Sequence, residues 1–248
     1  MRPIADPAVL ARLAASAVLA LCALASPALA GDRALFNAIG YSEDGRYFAF
    51  EEYGVQDGSG FAYSTVYIVD LPADKWVTGT PFHAQAADET SDAPLAKTRA
   101  EAMALAQPQV DTLGIDRPAQ TLALLGDGVP NDDGKNLTFA WPQCCGPGQT
   151  QEPAAGLALE TFPVEPTEDY CLDMNPVGYA LTFKGEQTVE LHRDGTTLPK
   201  SRGCTLDYRL YAVLAPFEQG GSRVAIVSSY PFGFEGPDRR FLAVPIDR

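Results

Sequence analysis

Apolar positions are bunched at the start of the chain and alternate with polar ones after it. Leu13 to Ala25 is an uninterrupted run of apolar and small residues behind Arg2 and Arg12. Ser26-Pro27-Ala28-Leu29-Ala30 follows, with small residues at the two positions a signal peptidase reads. This pattern predicts a secretory signal peptide over residues 1–30, cut near Ala30-Gly31. The run is shorter than the ~20 apolar residues of a transmembrane helix, and no later stretch qualifies. From Ala34 to Leu71 the pattern predicts β structure. Tyr41-Ser42-Glu43-Asp44-Gly45 is turn chemistry, Arg46 to Tyr53 an aromatic strand, Gly54 to Gly60 a glycine-rich loop, and Ser64 to Asp70 a strand rich in β-branched residues.

Residues 72–93 are polar, with Trp76 as an anchor. Leu95 to Leu105 is alanine-rich and unbroken until Pro108, which predicts a helix. A short second helix is expected over Gln109 to Leu113. Strands are expected near 119–125, 136–142, 156–161, 178–184, 187–193, 206–214, 222–229 and 240–246, separated by Gly and Pro clusters. The stretch 143–153 is the most irregular. The fold class is therefore mainly β, with residues 31–248 as a single sandwich-like or partial propeller-like antiparallel sheet domain. It carries a short helical insertion near residues 95–113. Gly45 to Phe50 and Gly221 to Ile226 are similar strands. Each is followed by an aromatic, glycine-rich loop and a second strand, so two similar hairpins are expected.

The formal net charge is −14, and loss of residues 1–30 makes it one unit more negative. Such a chain repels phosphate backbones and anionic bilayers, which excludes nucleic acid and membrane surfaces as expected partners. With Cys22 in the leader, Cys144, Cys145, Cys171 and Cys204 remain. An even number in an exported chain predicts disulfides. A bond between the neighbours Cys144 and Cys145 would be strained, so each is expected to pair with Cys171 or Cys204. A zinc site is the rival, but paired C-x-x-C spacing is missing.

No phosphate loop, dinucleotide fingerprint or G-x-S-x-G elbow occurs. His83 and His192 are the only histidines, neither lies beside a nucleophile motif, and both are expected at the surface. Carboxylates offer more. Glu51 and Glu52 are neighbours on a strand, so they face opposite sides. Asp57 lies in the glycine-rich loop, and Glu235 and Asp238 lie in the corresponding loop of the second hairpin. If these loops converge, their carboxylates suit calcium or an acid/base pair of the glycosidase kind. Pairing with Arg239, Arg240 or a more distant arginine is the alternative. Asp127 to Gly134 resembles a calcium loop in composition but lacks its spacing. Phe61, Tyr63, Tyr230, Phe232 and Phe234 fall in the same two hairpin loops and suit either a binding surface or a cap over the core.

Tyr41 to Phe50, ending at Val66-Tyr67-Ile68-Val69-Asp70-Leu71, resembles one blade unit of the TolB-type β-propeller repeat. Over nearly the whole mature chain, Phe48 to Phe61 and Gly233 to Phe241 resemble a bacterial family of predicted secreted proteins catalogued as a domain of unknown function. That resemblance implies export and one shared fold, and it carries no mechanism. The leading expectation is a non-enzymatic periplasmic or secreted module that binds an envelope protein, glycan or peptide. Its candidate residues are Glu51, Glu52, Tyr53, Asp57, Phe61, Phe234, Glu235, Asp238, Arg239 and Arg240. The alternatives are a carboxylate-dependent hydrolase of envelope carbohydrate or peptide, and a calcium-stabilised structural domain. No cofactor other than calcium is expected.

Overall fold

Period-two alternation in the first strands decides which side chains face which layer. β1 (Leu35–Ser42), β2 (Tyr47–Val55) and β3 (Ala62–Asp70) form an antiparallel meander. In the computed structural model, which describes residues 31–86, 95–127, 132–140, 155–217 and 222–247, this meander is the centre of a six-stranded sheet. β4 (Lys75–Trp76) and β5 (Phe82–Gln85) both pair with β3, and β6 (Ile115–Arg117) pairs with β1. β6 approaches so closely at Gly40 that a Cβ there would lie 2.5 Å from the Arg117 carbonyl oxygen. Glycine is therefore required where the β1 register shifts.

Two four-stranded antiparallel sheets complete the β structure. One runs β11 (Thr188–Arg193), β10 (Val177–Lys184), β9 (Ala155–Pro163), β8 (Asn136–Phe139). The other runs β14 (Arg240–Pro245), β13 (Val224–Pro231), β12 (Thr205–Pro216), β7 (Ala119–Leu124). The β13 sheet lies between its neighbours. Val224 and Ile226 pack with Phe48, Phe50 and Tyr63 of the first sheet. Ala225 and Val227 pack with Leu157, Leu159, Tyr179 and Leu181 of the other. In β12 a register shift between Leu210 and Ala212 turns Ala212 and Leu214 to one side and Leu210 and Val213 to the other. Each fully buried Val, Leu, Ile or Phe contributes about 1.5–3 kcal/mol relative to exposure.

The architecture is mainly β, with three antiparallel sheets and one helix. Face-to-face stacking on a shared middle sheet replaces the partial propeller expected as one option. The blade-like hairpin of β2 and β3 instead joins a six-stranded sheet that is packed on both faces.

The helical insertion also differs from expectation. α1 (Leu95–Thr112) is one continuous helix through Pro108. Proline removes one N–H and would orphan the carbonyl four residues back. Here both Ala104 and Pro108 are exposed, so water can take that carbonyl. The helix ends at Gly114, whose φ is +61°. Thr98, Ala102, Ala106 and Val110 form its buried stripe. Their small size lets the helix lie close against Ala49, Val66 and Ile68.

Glu51 and Arg99 tie that helix to the sheet. The Arg99 guanidinium donates to both Glu51 carboxylate oxygens, at 2.9 and 2.6 Å, and stacks 3.7 Å from the Tyr53 ring centroid. Ser64 and Asn37 donate to the same carboxylate. Burial pushes the Glu51 carboxyl up, but the hydrogen bonds from Arg99 and Ser64 outweigh it and hold it below the usual range. Its stabilising contribution is therefore present above the ordinary glutamate pKa and lost as pH falls through the lowered folded value. Arg99→Met is expected to cost about 2–3 kcal/mol in urea unfolding at pH 7, since it strands a buried charge beside a half-exposed partner. The deficit should shrink at pH 3. An equal deficit at both values would contradict this assignment.

Candidate functional site

The two hairpin loops meet. A cavity of about 260 Å³ is lined by Gln56, Asp57, Gly58 and Ser59 from the β2–β3 loop. Phe234, Glu235, Asp238 and Arg240 line it from the β13–β14 side, and Asp32 lines it from the start of the described chain. Phe234 is 97% exposed at its mouth, and Asp57 and Glu235 are exposed beside it. Aromatic, carboxylate and guanidinium groups therefore share one surface.

Beneath this cavity lies a network centred on Arg240. Its guanidinium donates to Asp32 Oδ2 at 2.7 Å and to the Tyr63 hydroxyl oxygen at 3.3 Å, and it sits 3.6 Å from Asp238. The Tyr63 hydroxyl donates to Asp32 Oδ1 at 2.8 Å, and the Asp32 N–H donates to Asp238 Oδ1 at 2.9 Å. Burial pushes the Asp238 carboxyl up despite Arg240. Arg239, expected at the surface of the site, is buried. It donates to the Ala34 carbonyl and pairs with Asp127. It holds Ala34 beside the start of β14 and does not line the cavity.

Glu52 points into the same side of the sheet. Its carboxylate accepts from the Tyr67 hydroxyl at 2.9 Å and from the Phe241 N–H at 3.1 Å. Burial pushes its carboxyl up, against the pull of the Arg240 charge. Glu52 also lines a second cavity of about 310 Å³, together with Arg240, Trp76, Ser201 and Arg202. Trp76, Ser201, Arg202 and Leu242 in turn border a third cavity of about 260 Å³ that reaches His192. Neighbouring cavities share lining residues: Arg240 belongs to the first and second, and Trp76, Ser201, Arg202 and Leu242 to the second and third.

The floor at the far end is built from stacked side chains. The His192 ring stacks on Tyr179 at 4.6 Å, and its Nε2 lies 2.9 Å from Asp194 Oδ1. Arg202 lies over Tyr179 and Tyr208 at 5.4 and 5.7 Å, and it donates to the Tyr208 hydroxyl. Burial pushes the Asp194 carboxyl up, but the His192 hydrogen bond and the Arg202 charge hold it below its usual range. His192 was expected as a lone surface residue. It is half-buried and partnered, because β11 places it opposite Leu181 and beside Tyr179.

Of the sequence candidates, Asp57, Phe234, Glu235, Asp238 and Arg240 come together in one cavity, with Glu52 adjoining through Arg240. Glu51 and Tyr53 face the helix instead, as alternation along β2 dictates. Phe61 is half-buried where its carbonyl accepts from Gln56, outside the cavity lining. Trp76, Arg202 and His192 were not recognised as neighbours, because three distant segments bring them together and no local motif marks them.

Among the described residues no group of three or more His, Cys, Asp or Glu is placed to hold a metal ion. In the acidic loop, Asp127 is taken by Arg239, Asp132 by the Gly134 N–H and Asp133 by the Lys135 N–H. The Cys144 and Cys145 pairing lies outside the described residues. Cys171 and Cys204 are free, buried thiols, so the disulfides expected for them are not formed in this structure. No described helix is long and apolar enough to cross a membrane.

A family model described as a predicted secreted protein (DUF2259) matches residues 49–247. No curated protein and no solved structure matched.

Glu52 provides a test of this geometry. A carboxyl raised on folding makes the folded state hold its proton longer, so stability falls as pH rises from the ordinary glutamate range through the raised folded value. Glu52→Gln keeps an acceptor for the Phe241 N–H and should remove that decline. It is expected to equal or exceed the parent at pH 8 and to lose that advantage at pH 4, read as thermal midpoints. A variant less stable at pH 8 than at pH 4, relative to the parent, would overturn the direction.

Proposed function

The chain belongs to this family of predicted secreted proteins, and on that premise we propose that it is an extracytoplasmic binding module that holds a glycan strand of the cell envelope. The observation that carries this reading is the row of three adjoining cavities, bounded by Phe234 at one end, with Trp76 beside Arg202 and His192 at the other. A row of this kind suits an extended chain better than a compact metabolite. Its lining carries both signs of charge and neutral polar groups: Asp57, Glu235, Lys75, Lys200, Arg202, Ser201. Sugar hydroxyls both donate and accept, so a lining of mixed polarity matches them. Trp76 is 45% exposed and Phe234 almost fully so, which offers two flat apolar faces. The buried carboxylates Asp32 and Glu52 are held by Arg240, tyrosine hydroxyls and backbone, so they shape the groove.

Maturation near Ala30-Gly31 belongs with this reading. A Cβ at Gly31 would lie 2.3 Å from the Pro237 carbonyl oxygen, so only glycine fits at the residue after the proposed cut. N-terminal sequencing of the exported chain should begin at Gly31.

Hydrolysis of the bound strand is the second reading, because the Asp238 carboxyl is pushed up by burial in a cavity rimmed by Asp57 and Glu235. That is the character of a general acid. Release of shorter fragments on incubation, abolished in Asp238→Asn, would establish it.

Titration calorimetry with envelope oligosaccharides of increasing length tests the binding reading. Affinity is expected to rise with length until one chain reaches both Phe234 and Trp76. Phe234→Ala and Trp76→Ala should each weaken the longest ligand about tenfold, the equivalent of 1.4 kcal/mol. Phe217→Ala, an exposed aromatic outside the cavity linings, should leave binding unchanged. Saturable binding of peptides in place of glycans, or parental affinity in both aromatic variants, would sink the glycan assignment.

A further inference from the structure

Two thiols far apart in sequence lie on segments that meet beside the middle cavity. Cys171 closes the short 3-10 turn Asp169–Cys171, and Cys204 immediately precedes β12. Each is 1% exposed. The Cys171 thiol is the neighbouring side chain that Cys204 senses, and Tyr170 interacts with both. The flanking backbone is pinned. The Cys171 N–H donates to the Glu168 carbonyl at 2.9 Å, and the Cys204 carbonyl accepts from the Phe232 N–H at 2.7 Å. The Tyr170 hydroxyl lies 3.5 Å from where a Cβ on Gly203 would stand, so the two segments are in contact beyond the sulfurs.

Buried single cysteines are common as small apolar residues. Two buried cysteines whose chain neighbours Tyr170 and Gly203 are in contact are different. Among the described residues no third ligand joins them to make a metal site. Two cysteines on adjoining segments can be bridged without moving those segments apart from their contacts, provided the sulfurs reach bonding distance. The family is one of predicted secreted proteins, and exported chains meet oxidising conditions.

We propose that Cys171 and Cys204 are a native disulfide pair, joined during folding in the exported chain. This pairing takes the place of bonds from either residue to Cys144 or Cys145. In the reaction, one thiolate attacks the disulfide of an oxidant, such as glutathione disulfide, and releases half of it as a thiol. The second cysteine then displaces the remaining half. One protein disulfide forms, and the oxidant's disulfide takes up the two electrons and two protons to become two thiols. The order of events follows from burial. Burial and the neighbouring thiol push the Cys204 thiol up to about 12, and neither sulfur is accessible once the core has closed. Thiolate is the attacking species, so the bond forms before the core closes and persists afterwards. It is a structural clip, and the groove gains from it directly. Arg202 and Gly203, which line the middle cavity, immediately precede Cys204.

The test uses the full chain, unfolded and reduced, then refolded in a glutathione redox buffer and quenched by alkylation. Digestion with trypsin and a glutamate-specific protease separates Cys171, on residues 169–184, from Cys144 and Cys145. It places Cys204 on residues 203–209. A linked pair of those two peptides is expected as the main product. Chain folded first under reducing conditions, then exposed to the same buffer, should take up the bond at least about tenfold more slowly. Cys171→Ser, Cys204→Ser and the double variant should share one thermal midpoint, about 5–10 °C below the oxidised parent. Recovery of alkylated Cys171 and Cys204, or of either linked to Cys144 or Cys145, would overturn the proposal even if the serine variants fail to fold.

Discussion

β13 is covered by apolar side chains on both of its faces, and the other layers are arranged by that fact. A strand with two dry faces needs a sheet on each side, and its own backbone must be satisfied entirely within the ladder. β12 and β14 supply those hydrogen bonds. The first sheet and the β8–β11 sheet then supply the two apolar covers. α1 is needed because the first sheet, having spent one face on β13, still has Ala49, Val66 and Ile68 to bury on the other. The groove lies where this stack is bordered by the hairpin loops and the 199–203 segment. Loops line its Phe234 end, and strand residues such as Tyr179, His192 and Leu242 line the other.

The charged groups follow the same geometry. Successive residues of β2 serve two interfaces. Glu51 fastens the helix through Arg99, while Glu52 fastens β14 through the Phe241 N–H. The two carboxyls move in opposite directions because their partners differ. Glu51 has a bidentate guanidinium, whereas Glu52 is deeper and has mainly neutral donors. Burial alone would raise both.

Much of the β framework was legible in the chain. Strand positions from β7 to β14 and the opposed faces of Glu51 and Glu52 follow from alternation. The convergence of Asp57 with Glu235 and Asp238 was anticipated as a possibility by the likeness of the two hairpins. What alternation cannot carry is the identity of the covering layer. In β13 both faces are apolar, so no in-and-out code exists to count sheets. Pro108 was misread because its cost depends on whether the released carbonyl faces water. Trp76, Arg202 and His192 were missed as a group because they meet only through tertiary packing. Cys171 and Cys204, expected in disulfides with Cys144 and Cys145, are free thiols in this structure. The strain between Cys144 and Cys145 spoke about those two residues and gave no information on whether Cys171 and Cys204 touch.

The middle position of the β13 sheet also sets the order in which the molecule can assemble. Its strands come from residues 119–124 and 205–245, so the face that the first sheet must cover is completed only by the C-terminal portion of the chain. The aromatic face of β2 and β3 therefore has no permanent cover while the rest of the chain is still being made. Closure waits on contacts of long sequence separation, which makes folding slow by the usual topological measure. Until β12 to β14 are in place that aromatic face stays uncovered, so the half-built molecule is the form most prone to associate with its own kind.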